Sequence, residues 1–398
     1  MLISKNREEF GDLLFAVGLI LTTMTGLRMP NLPIGIGEIL LFIWILTQWF
    51  QILLTGSVEF DRVYTKILLF GLLLCIMMGF GLLASAIEGR ISLQDSIYDF
   101  LAYSFAFLLG ITVLLKDRQD SVVNKIKYIV VVGTIVFTFL LIWWKTISPY
   151  FSGLGLVYEG VRFTGGAVNP NQLALFFVPI PALALFLLNY KRDFLKKIFL
   201  VLIFGASIFV ALNTQSHALM ATFILMLLFF PVLILYKRTQ FSTKVLAAII
   251  FLILLCLVIL LNAEVIQNSY DSIINWFYKL DDDGSRAVLW THGLKTALES
   301  PFVGYGPGTV IIFPPDFCVD AQNTIDAHNS FIDLFMQAGF LGLVLFIAFL
   351  KKSLVLKNNI YLTMAFFSLI IFSFSHFVLR QPIFWMYLIM MYSLNNSK

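Results

Sequence analysis

Charge is scarce in this chain: Asp, Glu, Lys and Arg make up 13% of its 398 residues, about half the usual globular share of roughly 25%. So few charges cannot clothe a water-soluble fold of this length. Cysteine is nearly missing, with three residues in all. Cys75 and Cys256 fall inside apolar runs and Cys318 stands alone in a polar stretch, so there is no disulfide framework. The chain also lacks the alternation of apolar and polar residues over about ten positions that builds a membrane β-barrel. No internal repeat links its two halves, which weakens a carrier-type reading. Lys5 and Arg7 precede an apolar run as in a signal peptide, but no small-x-small cleavage site follows, so an uncleaved first span is expected.

What is present is apolar. Hydrophobic residues reach 60%, in repeated runs long enough to cross about 30 Å of hydrocarbon as helix. The fold class is all-α, a polytopic transmembrane helix bundle forming a single membrane domain over 1–398. About 12 spans are expected, near 10–28, 34–54, 67–87, 97–115, 128–144, 171–189, 198–213, 217–236, 245–262, 331–350, 360–379 and 382–394. With the N-terminus inside, nineteen Lys and Arg fall on the cytoplasmic side and eight outside, as the positive-inside rule requires. Both termini are then cytoplasmic. The inside set is mostly Lys, the outside set mostly Arg (Arg28, Arg90, Arg162, Arg286 and Arg380). Arginine's planar fork suits phosphate or carboxylate, so this bias points to an outer site for an anionic substrate. The positive net charge is accounted for by topology and calls for no nucleic acid.

One long polar stretch remains, the external loop over 263–330 between spans nine and ten. An aromatic segment with Trp276, Phe277 and Tyr278 suits a membrane interface. Asp281, Asp282 and Asp283 read as a solvated turn, because consecutive carboxylates rarely converge on one ion. Ser285 can cap a helix from Arg286 to about Glu299, with Trp290, Leu294 and Leu298 as its apolar stripe. Arg286 in the first turn adds its charge to an anion-attracting helix N-terminus. His328 titrates near neutrality and can move a proton; Asp326, Asn329 and Asp333 are near enough in sequence to orient it. His292 reads as structural. Upstream, Arg162 lies in a Gly-rich loop, and Asn169 and Asn171 flank Pro170 at a helix start, where they can cap it or help bind an anion. His217 sits at the external hairpin between spans seven and eight.

These residues resemble the signature of the bacterial O-antigen ligase and O-antigen polymerase family. The resemblance is carried by Ser285-Arg286 with Trp290, by the run from Ser300 through Gly304-Tyr305-Gly306-Pro307-Gly308, by His328-Asn329-Ser330, and by Gly339-Phe340-Leu341-Gly342. Arg162, Gly165 and Asn169-Pro170-Asn171 resemble its upstream motif. The resemblance implies an inner-membrane glycosyltransferase working at the outer face on an undecaprenyl-pyrophosphate-linked glycan donor, without metal or other cofactor. It implies His328 as base and Arg286 on the pyrophosphate; direct displacement with inversion at the sugar is the expected mechanism. Arg162, His217, Asn169, Asn171 and Asn329 are expected to bind substrate. A polymerase joining lipid-linked repeat units, with a chain-length regulator as a further partner, is favoured. The alternatives are a ligase whose acceptor is lipid A-core, and a non-enzymatic transporter of lipid-linked oligosaccharide. One departure stands out: where the family commonly has Ser-Arg at the span 7/8 hairpin, this chain has Ser216-His217.

Overall fold

The computed structural model describes residues 2–29, 34–55, 62–89, 93–115, 119–147, 155–190, 193–238, 286–311, 326–354 and 359–396. Helices α1 (Leu2–Thr23), α2 (Ile36–Thr55), α3 (Arg62–Glu88), α4 (Leu93–Leu114) and α5 (Gln119–Thr146) come first. A two-residue hairpin, β1 (Val157–Tyr158) with β2 (Arg162–Phe163), pairs antiparallel. Then follow α6 (Pro170–Phe177), α7 (Ile180–Tyr190), α8 (Phe194–Asn213), α9 (His217–Arg238), α10 (Arg286–Glu299), α11 (Ser330–Ser353), α12 (Ile360–Ser373) and α13 (Pro382–Asn396). The protein is an all-α polytopic membrane bundle.

Seven described helical stretches are long and apolar enough to cross a membrane, and His217–Leu233 and Ile360–Ser373 are shorter apolar helices. The expected ninth span at 245–262, the aromatic segment, the Asp281–Asp283 turn with Ser285, Cys256 and Cys318 lie outside the described residues. The bundle wears its grease outward: Leu53, Ile87 and Leu195 are 79%, 86% and 74% exposed. In water such a surface would drive association; against lipid it is ordinary solvent contact.

The expected short twelfth span turns out to be the bundle's axis. Helix α13 is apolar on every face, and such a helix belongs inside. From Ile383 to Tyr392 its hydrophobic side chains are at most 2% exposed. Trp385 is ringed by Phe107 at 5.0 Å, Phe346 at 5.7 Å and Phe70 at 6.1 Å between centroids. Fifteen residues suffice because other helices, rather than lipid, surround it. A second internal anchor ties α1 to α5: Lys125 Nζ meets Asp12 Oδ1 at 2.7 Å, both side chains almost fully buried.

Three expected continuous helices are broken, each in a different way. The sixth span parts at Val178 and Pro179 into α6 and α7. The eleventh, expected to run to 379, stops at Ser373, and residues 374–381 form a turn carrying His376 and Arg380. Helix α11 stays one rod by hydrogen bonding but is kinked at Gly339, whose φ of 63° and ψ of −169° are far from helical. The kink frees backbone carbonyls that would be costly to leave unpaired in a bilayer. The glycine-rich turn at 304–308 supplies partners: Tyr305 N donates to Met336 O at 2.7 Å and Gly306 N to Gln337 O at 2.8 Å. Phe340 N donates in return to Pro301 O at 2.7 Å. Glycine is required on both sides, since a Cβ on Gly339 would lie 2.3 Å from Phe302 O and one on Gly304 2.6 Å from Met336 O. This motif from the polar loop is a strut between α3 and α11.

Candidate active site at the entry to helix α11

His328 immediately precedes α11, and the chain there is held from both sides. Asn329 caps the helix, its Oδ1 accepting from Phe331 N at 3.0 Å and Ile332 N at 3.3 Å. Asp333, fully buried one turn on, accepts from Ala327 N at 2.8 Å and Asn329 N at 3.1 Å. Between those two clamped residues His328 adopts φ +52°, a left-handed conformation uncommon for a side-chain-bearing residue. Strain of this kind persists only where neighbours over-determine it. Asp333 therefore positions His328 through the backbone, and no Asp333–imidazole bond is involved.

Ser330 links this corner to the turn at 374–381. Its Oγ donates to His376 O at 2.7 Å and accepts from Val378 N at 3.0 Å. The two imidazoles lie 6.5 Å apart between centroids, and His376 also packs on Phe372 at 4.8 Å. Arg380 donates to Asp326 at 2.5 Å, reaches Asp99 at 3.7 Å, and lies over the Phe377 ring at 4.7 Å. Trp385 Nε1 fastens the end of the turn by donating to Leu379 O at 2.7 Å.

Burial disfavours the charged form of both imidazoles. His328 keeps an open face, yet it is hemmed in closely enough for burial to push its pKa down. Asp326 opposes that shift, and Arg286 and Arg380 add to it. His376 is pushed down to about 3, by burial first and then by Arg286, His328 and Arg162. Arg286 thus acts on both rings and Arg162 on His376. Burial lowers the Arg286 pKa from its ordinary value. For Arg380, burial works against the charge, but Asp326 and Asp99 outweigh it and its pKa is raised.

A cavity of about 840 Å³ opens beside this cluster, walled by α2, α4, α6 and the 374–381 turn. His328, Asn169 and Asn171 line it, as do the unanticipated His376, Asp99 and Arg380. Asn169 also caps α6 by accepting from Asn171 N at 2.8 Å. Arg162 is reached from the far side: its Nε donates to Thr214 O at 3.2 Å, across the β-hairpin, at the α8/α9 turn. His217 is exposed at the first position of α9, three residues past that contact. Asn329 is 4% exposed, with its oxygen engaged in the cap.

Only part of the stripe expected on α10 faces α11: Trp290 packs against the cluster of Leu289, Ala297, Ile332 and Met336, while Leu294 and Leu298 are 43% and 64% exposed. A spacing of four drifts around a helix of 3.6 residues per turn, and Gly293, whose added Cβ would sit 2.9 Å from Ile332, marks the face that α11 covers. His376 was hidden because it sits in an apolar run read as membrane span. An ionisable residue at apparent membrane depth is itself a functional signal.

The segment 199–347, from α8 into α11, includes Arg286, the glycine strut and His328. It matches the O-antigen ligase family model. The match supports the O-antigen ligase/polymerase family for this membrane protein. No curated protein matches the chain. Arg162, Asn169, Asn171, His376 and Arg380 lie beyond the matched residues.

Proposed function

We propose that this protein is a membrane glycosyltransferase that polymerises an undecaprenyl-pyrophosphate-linked surface glycan at the outer face of the bacterial inner membrane. The observation that carries this is His328: a neutral imidazole in a clamped left-handed backbone, at the mouth of a cavity and within reach of Arg286. Such a group can accept the proton of an attacking hydroxyl. The acceptor oxygen forms its bond to the donor's anomeric carbon from the face opposite the leaving group. The bond from that carbon to the pyrophosphate oxygen breaks, the configuration inverts, and the proton passes to His328. Negative charge growing on the leaving pyrophosphate is met by Arg286 and the N-terminus of α10, with Arg162 beside it. The reaction is routed through side chains and needs no metal.

Four of the five arginines assigned to the outer side fit this orientation, Arg28, Arg162, Arg286 and Arg380 gathering around one end of the bundle, while Arg90 lies outside the described residues. Among the described residues Arg28 pairs with Glu38 and Arg380 with Asp326, while Arg162 and Arg286 form no ion pair. The latter two are left for the pyrophosphate. His217, next to the Arg162 anchor, stands where the family commonly places an arginine. His217→Arg is expected to keep or raise turnover, and an inactive product would remove His217 from the phosphate site.

The test is reconstitution of the full chain with lipid-linked glycan. Bond formation should be lost in His328→Ala and in Arg286→Ala, and survival in both would end this mechanism. Movement of the lipid-linked glycan across the bilayer without bond formation would mean a transporter. In a deletion strain, single capping repeats mark a polymerase; lipid-linked polymer accumulating beside bare core marks a ligase.

A further inference from the structure

A second cavity lies at the other end of the bundle. Helices α8 and α12 each pack on α7, and a groove of about 540 Å³ remains between them. Leu185 and Leu188 of α7 and Val201 of α8 give it apolar walls, while Asn189, Lys197 and Tyr361 supply its polar groups. Tyr361 is the second residue of α12, and the turn bearing His376 follows the end of that helix. The 14 residues of α12, about 21 Å at 1.5 Å each, separate the groove from the candidate active site. Its polar groups therefore lie at the opposite membrane surface, the one assigned to the cytoplasm by its basic residues.

The charge here is unlike that of the first cavity. Glu38, Asp99 and Asp326 line the outer one, whereas no carboxylate is among the residues lining the groove. Asp193, just outside it, caps α8 by accepting from Leu195 N at 3.1 Å and holds Lys196 at 3.1 Å. Lys197 forms no ion pair among the described residues. In sequence, the segment 191–197 sets Lys191, Arg192, Lys196 and Lys197 against Asp193 alone. The Lys197 ammonium, the Tyr361 hydroxyl and the Asn189 amide can all donate to one anion. Beside these donors the groove opens toward the bilayer, where Phe194, Val201 and Leu202 are 73%, 52% and 65% exposed. Donors at headgroup level and apolar walls running into lipid match the two halves of a phospholipid.

We propose that this groove seats an anionic glycerophospholipid of the inner leaflet, its phosphate accepting from Lys197, Tyr361 and Asn189 and an acyl chain lying against α7. The proposal goes beyond the glycosyltransfer reading and does not depend on it; it rests on the cytoplasmic assignment of this end of the bundle. Basic residues at that surface attract anionic lipid. A headgroup that adds an ammonium finds no carboxylate in the groove to pair with, so phosphatidylglycerol is favoured over zwitterionic lipids. Such a lipid bridges the inner ends of α8 and α12. Their outer ends carry the Thr214 contact of Arg162 and the turn bearing His376, so the seat braces two helices from which parts of the candidate site hang.

The test is native mass spectrometry of the full chain in detergent, titrated with phosphatidylglycerol and with phosphatidylcholine. The wild type should hold phosphatidylglycerol about fivefold more tightly, the order expected of one basic residue at an anionic headgroup. Lys197→Gln should remove that preference. Lys196→Gln removes the same charge one residue away, from a side chain already held by Asp193, and should leave the preference intact. Tyr361→Phe should weaken phosphatidylglycerol about threefold, as for one lost hydrogen bond. Val201→Trp, at a position exposed enough to tolerate bulk, should fill the groove and lower retention of both lipids. Equal binding of the two lipids by the wild type would leave only annular lipid and overturn the proposal. So would equal losses in Lys196→Gln and Lys197→Gln, the mark of diffuse attraction, or displacement of the lipid by inorganic phosphate, the mark of a soluble-anion site. A dimer that falls apart in Val201→Trp would make the groove a protein interface and overturn it too.

Discussion

Two short non-helical segments flank helix α11, and they exchange the roles their sequences suggest. The 304–308 turn is glycine-rich, lies beside the catalytic candidates in sequence and is one of the motifs that carry the family resemblance. It is a strut whose N–H groups are occupied by Met336 O and Gln337 O. The 374–381 turn lies in an apolar run that looks like the end of a membrane helix. It holds His376 and Arg380, lines the cavity, and is stitched to the α11 entry by Ser330. Glycine makes backbone available, but whether that backbone meets a ligand or another helix depends on what packs against it.

The comparison can be broken at several points. The largest expected effect is on rate: His328→Ala should cut turnover by about 10²–10⁴-fold, the usual contribution of a general base, with thermal melting unchanged. Arg286→Ala should cost on the order of 10²–10³-fold, read in the same assay. The strut should behave oppositely. Gly339→Ala or Gly304→Ala should destabilise by about 1–3 kcal/mol or more, from left-handed strain and backbone collision. Loss of folded protein in size-exclusion and melting assays is expected, with the surviving fraction near the wild-type specific rate. A normal melt with a lost rate would instead make the glycine turn part of the chemistry.

A smaller effect is in pH dependence. A base must be neutral to accept a proton, and the His328 pKa is below its ordinary 6.5. The rate should therefore hold through neutrality and fall only as acid passes that depressed value. Arg380→Gln removes one of the positive charges that depress His328 and releases Asp326, which raises it. The acid limb should then move to higher pH, and an unmoved limb would detach Arg380 from the site. The smallest effect is expected at Asn329→Ala, about 1 kcal/mol of stability for a lost helix cap. If acceptor binding falls as well, Asn329 touches substrate in addition to capping.

Much of the architecture was legible because its cause is local. Apolar runs form helices in a bilayer whatever their neighbours, and the Asn169 cap follows from a side-chain oxygen next to free N–H groups. The site was legible only in pieces. His328, Arg286 and Arg162 stood out as polar groups near span ends, but which groups each sits beside is set by the fold and not by its sequence neighbours. The α10 face was only partly assigned, Trp290 rightly and Leu294 and Leu298 wrongly, because a 14-residue helix offers two plausible stripes and only the approach of α11 chooses between them. His376, Asp99 and Arg380 were invisible as a cluster, since the Arg380 pairs join three separate elements.

By itself, then, the amino-acid sequence determined the class of protein, the bundle of apolar helices and the candidate base and arginine. Each of these rests on composition, periodicity or a single side chain's chemistry. Tertiary structure alone decided that α13 is the axis and that the glycine motif braces a kink. It also decided that, among the described residues, Arg28 and Arg380 are paired with carboxylates on the cavity wall while Arg162 and Arg286 form no ion pair. Pairing is a property of distance in space, and a charge acquires its role only when the fold shows which opposite charge it can reach.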